Sequence, residues 1–340
     1  MDVAEVIEAR KKYHEDLNRT VRRKRATWFP LALVTGLALL PVMQFIGGHN
    51  YVIHLALYAM MYAAMASSWN IIGGYTGYIS LGHNVFFCIG GYVSGMILVF
   101  TGVTSLVTAP LAGIAAAVVG TGVGLITLRV RGPTFIISSI ALLMVARILF
   151  DNWTFVGGSN GVTLPQLDIR VGWSKLPYYY AMLIICAATV YTSYRIKHSK
   201  FGLGLRAISQ DEVKAECAGI DTRFYKVLAF AISAFFVGMA GAIWGEYITY
   251  LRPNIFLIIL VAANMVLMSI LGGKGTVAGP VVGAILLITF NETALTMMGS
   301  SAFNLLGTGL IMLLTLLYFP LGVVGTLARK KMLPRFLDWD

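Results

Sequence analysis

The sequence predicts an all-α integral membrane protein of about ten transmembrane helices, interrupted by glycine-rich broken or re-entrant segments. Three observations carry this prediction. Of 340 residues, 58% are hydrophobic and 12% charged, with a mean hydropathy of +0.78, more apolar surface than a water-soluble fold can hide. The apolar residues fall in runs of about 20, the length a helix needs to cross the hydrocarbon. The basic residues, which give a net charge of +11, sit between those runs and not on one face, so the charge does not indicate a nucleic-acid surface.

The runs lie at 29–47, 51–72, 80–101, 105–128, 133–150, 177–194, 226–250, 255–272, 276–298 and 303–325. Their orientation follows from Lys and Arg, which collect in cytoplasmic segments. With both termini cytoplasmic, 22 of the 26 basic residues fall inside, leaving Arg147, Arg170, Lys175 and Arg252. The chain then divides into a basic N-terminal arm (1–28), a transmembrane domain (29–325) and a C-terminal tail (326–340), with arm and tail cytoplasmic. The domain carries a cytoplasmic loop (195–225) and an extracytoplasmic loop (151–176) whose Trp153 and Trp173 suit the interfacial aromatic belt. The arm is too long and too charged for a secretory signal and is expected to remain in place. Its role is either to bind anionic lipid or only to fix topology.

Cys88, Cys186 and Cys217 are far apart and lack the spacings of a zinc or redox motif. Two glycine-rich stretches break the apolar pattern: Gly73 to His83, and Leu271 to Thr276 continuing through Gly279-Pro280. Such breaks are tolerated where backbone faces protein or a water-filled path, and paired breaks in two halves point to a transport site. The alternative is close helix packing through small residues. Asn70, Tyr75, Thr76, Ser80, His83 and Asn84 favour a solute path for the first stretch. Ionisable Glu246, Glu292 and Arg147 fall within spans and count as functional candidates; Glu246 joins the path candidates, whereas Arg147 also fits a snorkelling charge. The second stretch is no phosphate loop, because Met268 stands where the first glycine belongs and Gly275 follows Lys274 in place of Ser or Thr.

The largest cytoplasmic connection runs from Phe201 to Asp221. Ser209 and Glu212 have the spacing of a capping box, and Gly219 is placed to stop the helix it would start. A short capped helix outside the bilayer makes sense as a knob for a cytoplasmic partner; the plain alternative is a solvated loop.

The run Gly74-Tyr75-Thr76-Gly77-Tyr78-Ile79-Ser80-Leu81-Gly82-His83, followed by Phe86-Phe87 and Gly90-Gly91-Tyr92, resembles the signature of the longer of two permease subunits in branched-chain amino-acid ABC importers. Arg131-Gly132-Pro133-Thr134-Phe135, Gly157-Gly158-Ser159-Asn160-Gly161, Leu271-Gly272-Gly273 and Gly279-Pro280 match in order. The segment Phe201-Gly202, Leu205-Arg206-Ala207-Ile208, Asp211-Glu212, Ala215 and Gly219-Ile220 is similar to the family's coupling segment. The resemblance implies a multi-pass inner-membrane permease subunit without catalytic residues. It also implies a sister permease, two cytoplasmic ATPase subunits that bind ATP and Mg, and an extracytoplasmic solute-binding protein, with no cofactor in this chain. Ser209, Gln210, Asp211, Glu212, Ala215, Glu216 and Gly219 would then face the ATPase. The sequence departs from the family pattern at Tyr78, where Gln is usual, at Asn84 and Cys88, at Lys274, and at Pro320-Leu321-Gly322. Those departures leave the substrate open between branched-chain amino acids and urea, short amides or aromatic acids.

An ion-coupled secondary transporter is the competing class, and it would more often carry acidic residues in mid-span. A membrane-embedded enzyme finds no support, since His14, His49, His54, His83 and His198 form no metal-ligand motif and no nucleophile elbow is present.

Overall fold

A computed structural model of the chain describes residues 35–38, 40–43, 50–165, 175–298 and 322–329, with single positions between 307 and 318. The N-terminal arm, most of the expected first and tenth spans, Arg170, Trp173 and the tail beyond 329 lie outside the described residues.

The described chain is a helical bundle. Its long helices are α1 (Asn50–Gly73), α2 (Asn84–Thr101), α3 (Ser105–Thr127), α4 (Pro133–Asn152) and α5 (Leu176–Lys197). Two short helices follow, α6 (Lys200–Gln210) and α7 (Glu212–Cys217), then α8 (Thr222–Ile248), α9 (Pro253–Phe256), α10 (Ile259–Gly273), α11 (Gly279–Met298) and α12 (Gly322–Arg329). Seven segments are long and apolar enough to cross a membrane, α9 and α10 counting as one, and α11 opens with a shorter apolar stretch. All eight coincide with expected spans to within a few residues. The largest differences, four residues each, are at the starts of α8, which opens at Thr222 and not at 226, and of α2, which opens at Asn84 and not at 80, because Gly77 at φ 82° and the following residues hold an irregular turn. At the other end of the chain, α12 runs across the boundary expected at 325, opening on Gly322 at φ 74° and packing its backbone against Gly273.

Helices α1 and α8 form the centre, each with 67% of its apolar window buried, while α3 and α4 lie outside with 33% and 28%. Small residues set the crossings. The buried face of α3 reads Ala109, Ala112, Gly113, Ala116, Gly120 and Gly124, a stripe at helical spacing that lets α8 approach as closely as backbone allows. Helix α2 meets α8 through glycines as well: a Cβ on Gly90 would sit 1.9 Å from the Gly238 carbonyl oxygen, and one on Gly241 2.0 Å from that of Phe87. Lipid is as apolar as Leu, so this close van der Waals packing does the work that water exclusion does in soluble proteins.

The bundle has two distinct ends. At one end the turn 74–83, the α3–α4 connection, helices α6 and α7, and the α10–α11 turn come together. At the far end, strands β1 (Val162–Thr163) and β2 (Tyr250–Leu251) pair antiparallel. This two-stranded clasp ties the 151–165 loop to the end of α8, helped by Tyr250 Oη donating to the Asn160 carbonyl at 2.6 Å and Arg252 Nε donating to that of Ser159 at 3.2 Å. Arg147 belongs to this far end, donating to Asn254 at 2.6 Å and pairing with Asp151 at 3.8 Å.

Candidate functional site

The connection between α5 and α8 is built from three capped helix starts. Ser199 Oγ accepts from Gly202 N at 3.2 Å to open α6. Asp211 Oδ1 accepts from the amides of Val213 and Lys214 at 3.0 and 3.1 Å to open α7, and Asp221 Oδ1 accepts from Phe224 N at 3.0 Å to open α8. Each cap satisfies backbone donors that a helix start leaves unpaired. Gly219, at φ 84°, ends the knob as expected.

The expected capping box between Ser209 and Glu212 is not formed. Leu205 and Ile208 are buried, so α6 continues through Ser209 to Gln210. The break falls at Asp211, extended at φ −161° and ψ 111°, whose shorter carboxylate reaches the amides of its own next turn. Glu212 is thereby freed to point at the bundle.

There it meets a polar cluster drawn from four segments. Lys226 Nζ on α8 donates to Glu212 Oε1 at 2.6 Å, to Tyr78 Oη at 3.2 Å and to the Leu128 carbonyl at 3.0 Å. Tyr78 Oη, from the glycine-rich turn, donates to Glu212 Oε2 at 2.5 Å. Arg131 pairs with Glu212 at 3.3 Å and with Glu216 at 3.2 Å, and Thr222 Oγ1 donates to Glu216 at 2.7 Å. The Lys226 side chain is 4% exposed and that of Glu212 11%, so this is a desolvated ion pair. Burial pushes the Glu212 carboxyl up, but the hydrogen bonds from Lys226 and Tyr78, with the charges of Lys226 and Arg131, outweigh it and hold the group below its ordinary value.

The two glycine-rich stretches meet at the same end. Asn70 is the bridge: its Nδ2 donates to the Thr276 carbonyl at 2.8 Å, and its Oδ1 accepts from Gly275 N at 2.9 Å and Ser269 Oγ at 3.3 Å. Close packing also holds in the second stretch, where a Cβ on Gly272 would lie 1.7 Å from the Gly279 carbonyl oxygen.

The remaining path candidates are buried and serve as internal braces. Tyr75 Oη bonds Ser193 Oγ at 2.8 Å, Thr76 Oγ1 donates to the Ile72 carbonyl at 2.6 Å, and the Ser80 carbonyl accepts from Trp69 Nε1 at 2.7 Å. His83 Nε2 lies 2.9 Å from Ser233 Oγ, and Asn84 Nδ2 donates to the Ile258 carbonyl at 3.0 Å. Glu246 stands apart near the far end, accepting from Tyr178 Oη at 3.0 Å and from the Ser105 amide. Glu292 accepts from Tyr51 Oη at 3.4 Å on the exposed side of α11.

Of the proposed knob residues, Ala215 is buried under α7, Glu212 and Glu216 join the cluster, and Gln210 and Gly219 are exposed. Sequence reasoning missed Lys226 as a site residue. A lysine at the start of an apolar run reads as an interfacial charge, and its one distinguishing signal is an acidic residue on the preceding connection.

The family described as branched-chain amino acid transport system / permease component matches residues 51–316. The high-affinity branched-chain amino acid transport system permease protein LivM of Escherichia coli (strain K12) is 25% identical over 299 residues, covering 80% of this chain and 69% of that protein. LivH of the same strain is 26% identical over 287 residues, 78% of this chain and 91% of that protein. BraD, a permease protein of the same description from Pseudomonas aeruginosa, is 23% identical over 293 residues, with 78% and 91% covered. No solved structure matches. With more than half its length matched in a helical bundle of membrane-crossing dimensions, the chain belongs to the branched-chain amino acid transport permease family.

Proposed function

We propose that this chain is a membrane-spanning subunit of an ATP-driven importer of the inner membrane, non-catalytic itself, with both termini in the cytoplasm. In this reading a sister permease completes the translocation path, and two cytoplasmic ATPase subunits bind and hydrolyse Mg-ATP. An extracytoplasmic binding protein delivers the solute. Branched-chain amino acids are the proposed substrates, with urea, short amides and aromatic acids as the alternatives to be compared in uptake. The path runs beside the turn 73–83, where Asn70, Tyr75, Thr76, Ser80, His83 and Asn84 hold the wall in shape, and Glu246 braces its far end.

The observation that carries this reading is the knob. Helix α7 is capped at its start, closed by Gly219 and seated on a desolvated ion pair, yet it leaves Val213 54% exposed. A six-residue helix held this firmly on the basic side of the bundle has no core of its own to serve. Exposed Val213, with Ser209, Gln210 and Asp211 beside it, forms a surface that suits a groove in a partner.

Val213→Asp tests it. A surface substitution of this kind alters stability by only about 0.5 kcal/mol, so the protein is expected to insert normally while losing both ATPase co-purification and solute uptake. Uptake that survives the substitution and collapses with an ionophore overturns the reading in favour of an ion-coupled carrier.

A further inference from the structure

We propose that Tyr78, Glu212 and Lys226 form a latch that makes the knob α7 and the glycine-rich turn 74–83 move as one body. The proposal rests on the importer reading and assigns these three as positioning residues within it. A displacement imposed on the knob then reaches the turn without passing along the chain, in which Tyr78 and Glu212 are 134 positions apart.

Four observations carry it. The three side chains close a ring: Tyr78 Oη donates to one Glu212 oxygen, Lys226 Nζ donates to the other, and Lys226 also donates to Tyr78 Oη. No member can shift without breaking two of the three bonds. Second, Ala215 is the one buried residue of α7, so polar ties hold it: this ring, the Arg131 pairs with Glu212 and Glu216, and the Thr222 bond to Glu216; of these the ring alone reaches the turn. Third, taking Lys226 and Glu212 out of water is costly, and a well-packed apolar pair in their place serves stability as well or better. Packing alone therefore does not account for charges at this position. Fourth, the far side of the latch is stiff. Tyr78 packs edge-on against Phe135 at 5.2 Å, Leu81 N donates to Ser139 Oγ at 3.0 Å, and His83 bonds Ser233. Ser233 lies seven residues beyond Lys226, on the same face of α8. Latch and turn are thus fastened to one helix at two points two turns apart.

The test uses the full complex reconstituted in liposomes with its ATPase subunits and binding protein, and reads solute transported per ATP hydrolysed. Tyr78→Phe keeps the ring against Phe135 and removes only the hydroxyl. ATP hydrolysis is expected to persist while transport per ATP falls about tenfold, the factor one hydrogen bond to a charged group is worth. The double variant Glu212→Gln/Lys226→Met, which leaves no lone buried charge, is expected to uncouple in the same way. Transport per ATP unchanged in both variants overturns the latch. Equal loss of hydrolysis and transport in complexes that assemble normally also overturns it, by showing a purely structural role. A wild-type chain that assembles with no ATPase overturns the importer reading instead.

Discussion

Lys226 sits one turn inside an apolar helix with its side chain 4% exposed, donating to Glu212, Tyr78 and the Leu128 carbonyl. Removing it by Lys226→Ala leaves the Glu212 carboxylate desolvated beside a tyrosine hydroxyl. Breaking a buried ion pair from one side costs about 3–5 kcal/mol, and Arg131, half-exposed at 3.3 Å from Glu212, offsets part of that. The purified variant is expected to unfold at lower temperature, with Glu212→Gln in the same background restoring part of the loss. Glu212 also sets a pH dependence. Its carboxyl is held below the ordinary value of 4.5, so the stabilisation is present above that value and is lost as pH falls through the lower, folded one. Hydrogen exchange at residues 212–217 is expected to stay slow down to about the ordinary carboxylate range and to quicken below it, and Glu212→Gln is expected to remove that acid step. Little of this partnership was legible in the sequence. Tyr78 stood out only as a departure from a family pattern, and Lys226 only as a topological charge, because their meeting depends on a contact between residues 148 positions apart.

At the scale of elements, most boundaries were legible because each has a local cause. A span must supply about 20 apolar residues in sequence, and eight described helices fall where such runs fall. What misled was a competition between two caps. Ser209 offers a capping-box spacing, but Asp211 lies closer to the amides it satisfies and the apolar face of α6 extends past Ser209. Asp211→Ala is expected to destabilise α7 by removing its cap, seen as faster exchange at the Val213 and Lys214 amides with the spanning helices unchanged. The glycines supply the opposite case, a feature legible in position and ambiguous in meaning. At Gly90 no side chain fits: a Cβ there lies 1.9 Å from a carbonyl oxygen of α8. Gly90→Val is expected to separate α2 from α8 and to abolish the folded, detergent-stable protein, as measured by size-exclusion chromatography.

For the whole molecule, charge counting gave an orientation that labelling can check. Cys217 is exposed on the knob whereas Cys88 is buried, so a membrane-impermeant thiol reagent is expected to modify Cys217 in inverted vesicles and to leave it unmodified in intact cells. Labelling of Cys217 from outside reverses the topology. The bundle's centre was less legible than its spans: hydropathy ranks α4 and α8 almost alike, at 2.0 and 2.1, although one is mostly exposed and the other mostly buried. The difference lies in partners, since small residues on α2 and α3 admit α8 and leave α4 outside. Helix α8 is fastened at both ends, by Lys226 in the polar cluster and by Tyr250 in the strand pairing just beyond it. Its 27 residues span about 40 Å at 1.5 Å per residue, the full thickness of a bilayer. Clamped so, it acts as a connecting rod: whatever tilts the end that carries Lys226 must swing the 151–165 loop at the opposite end in the same stroke.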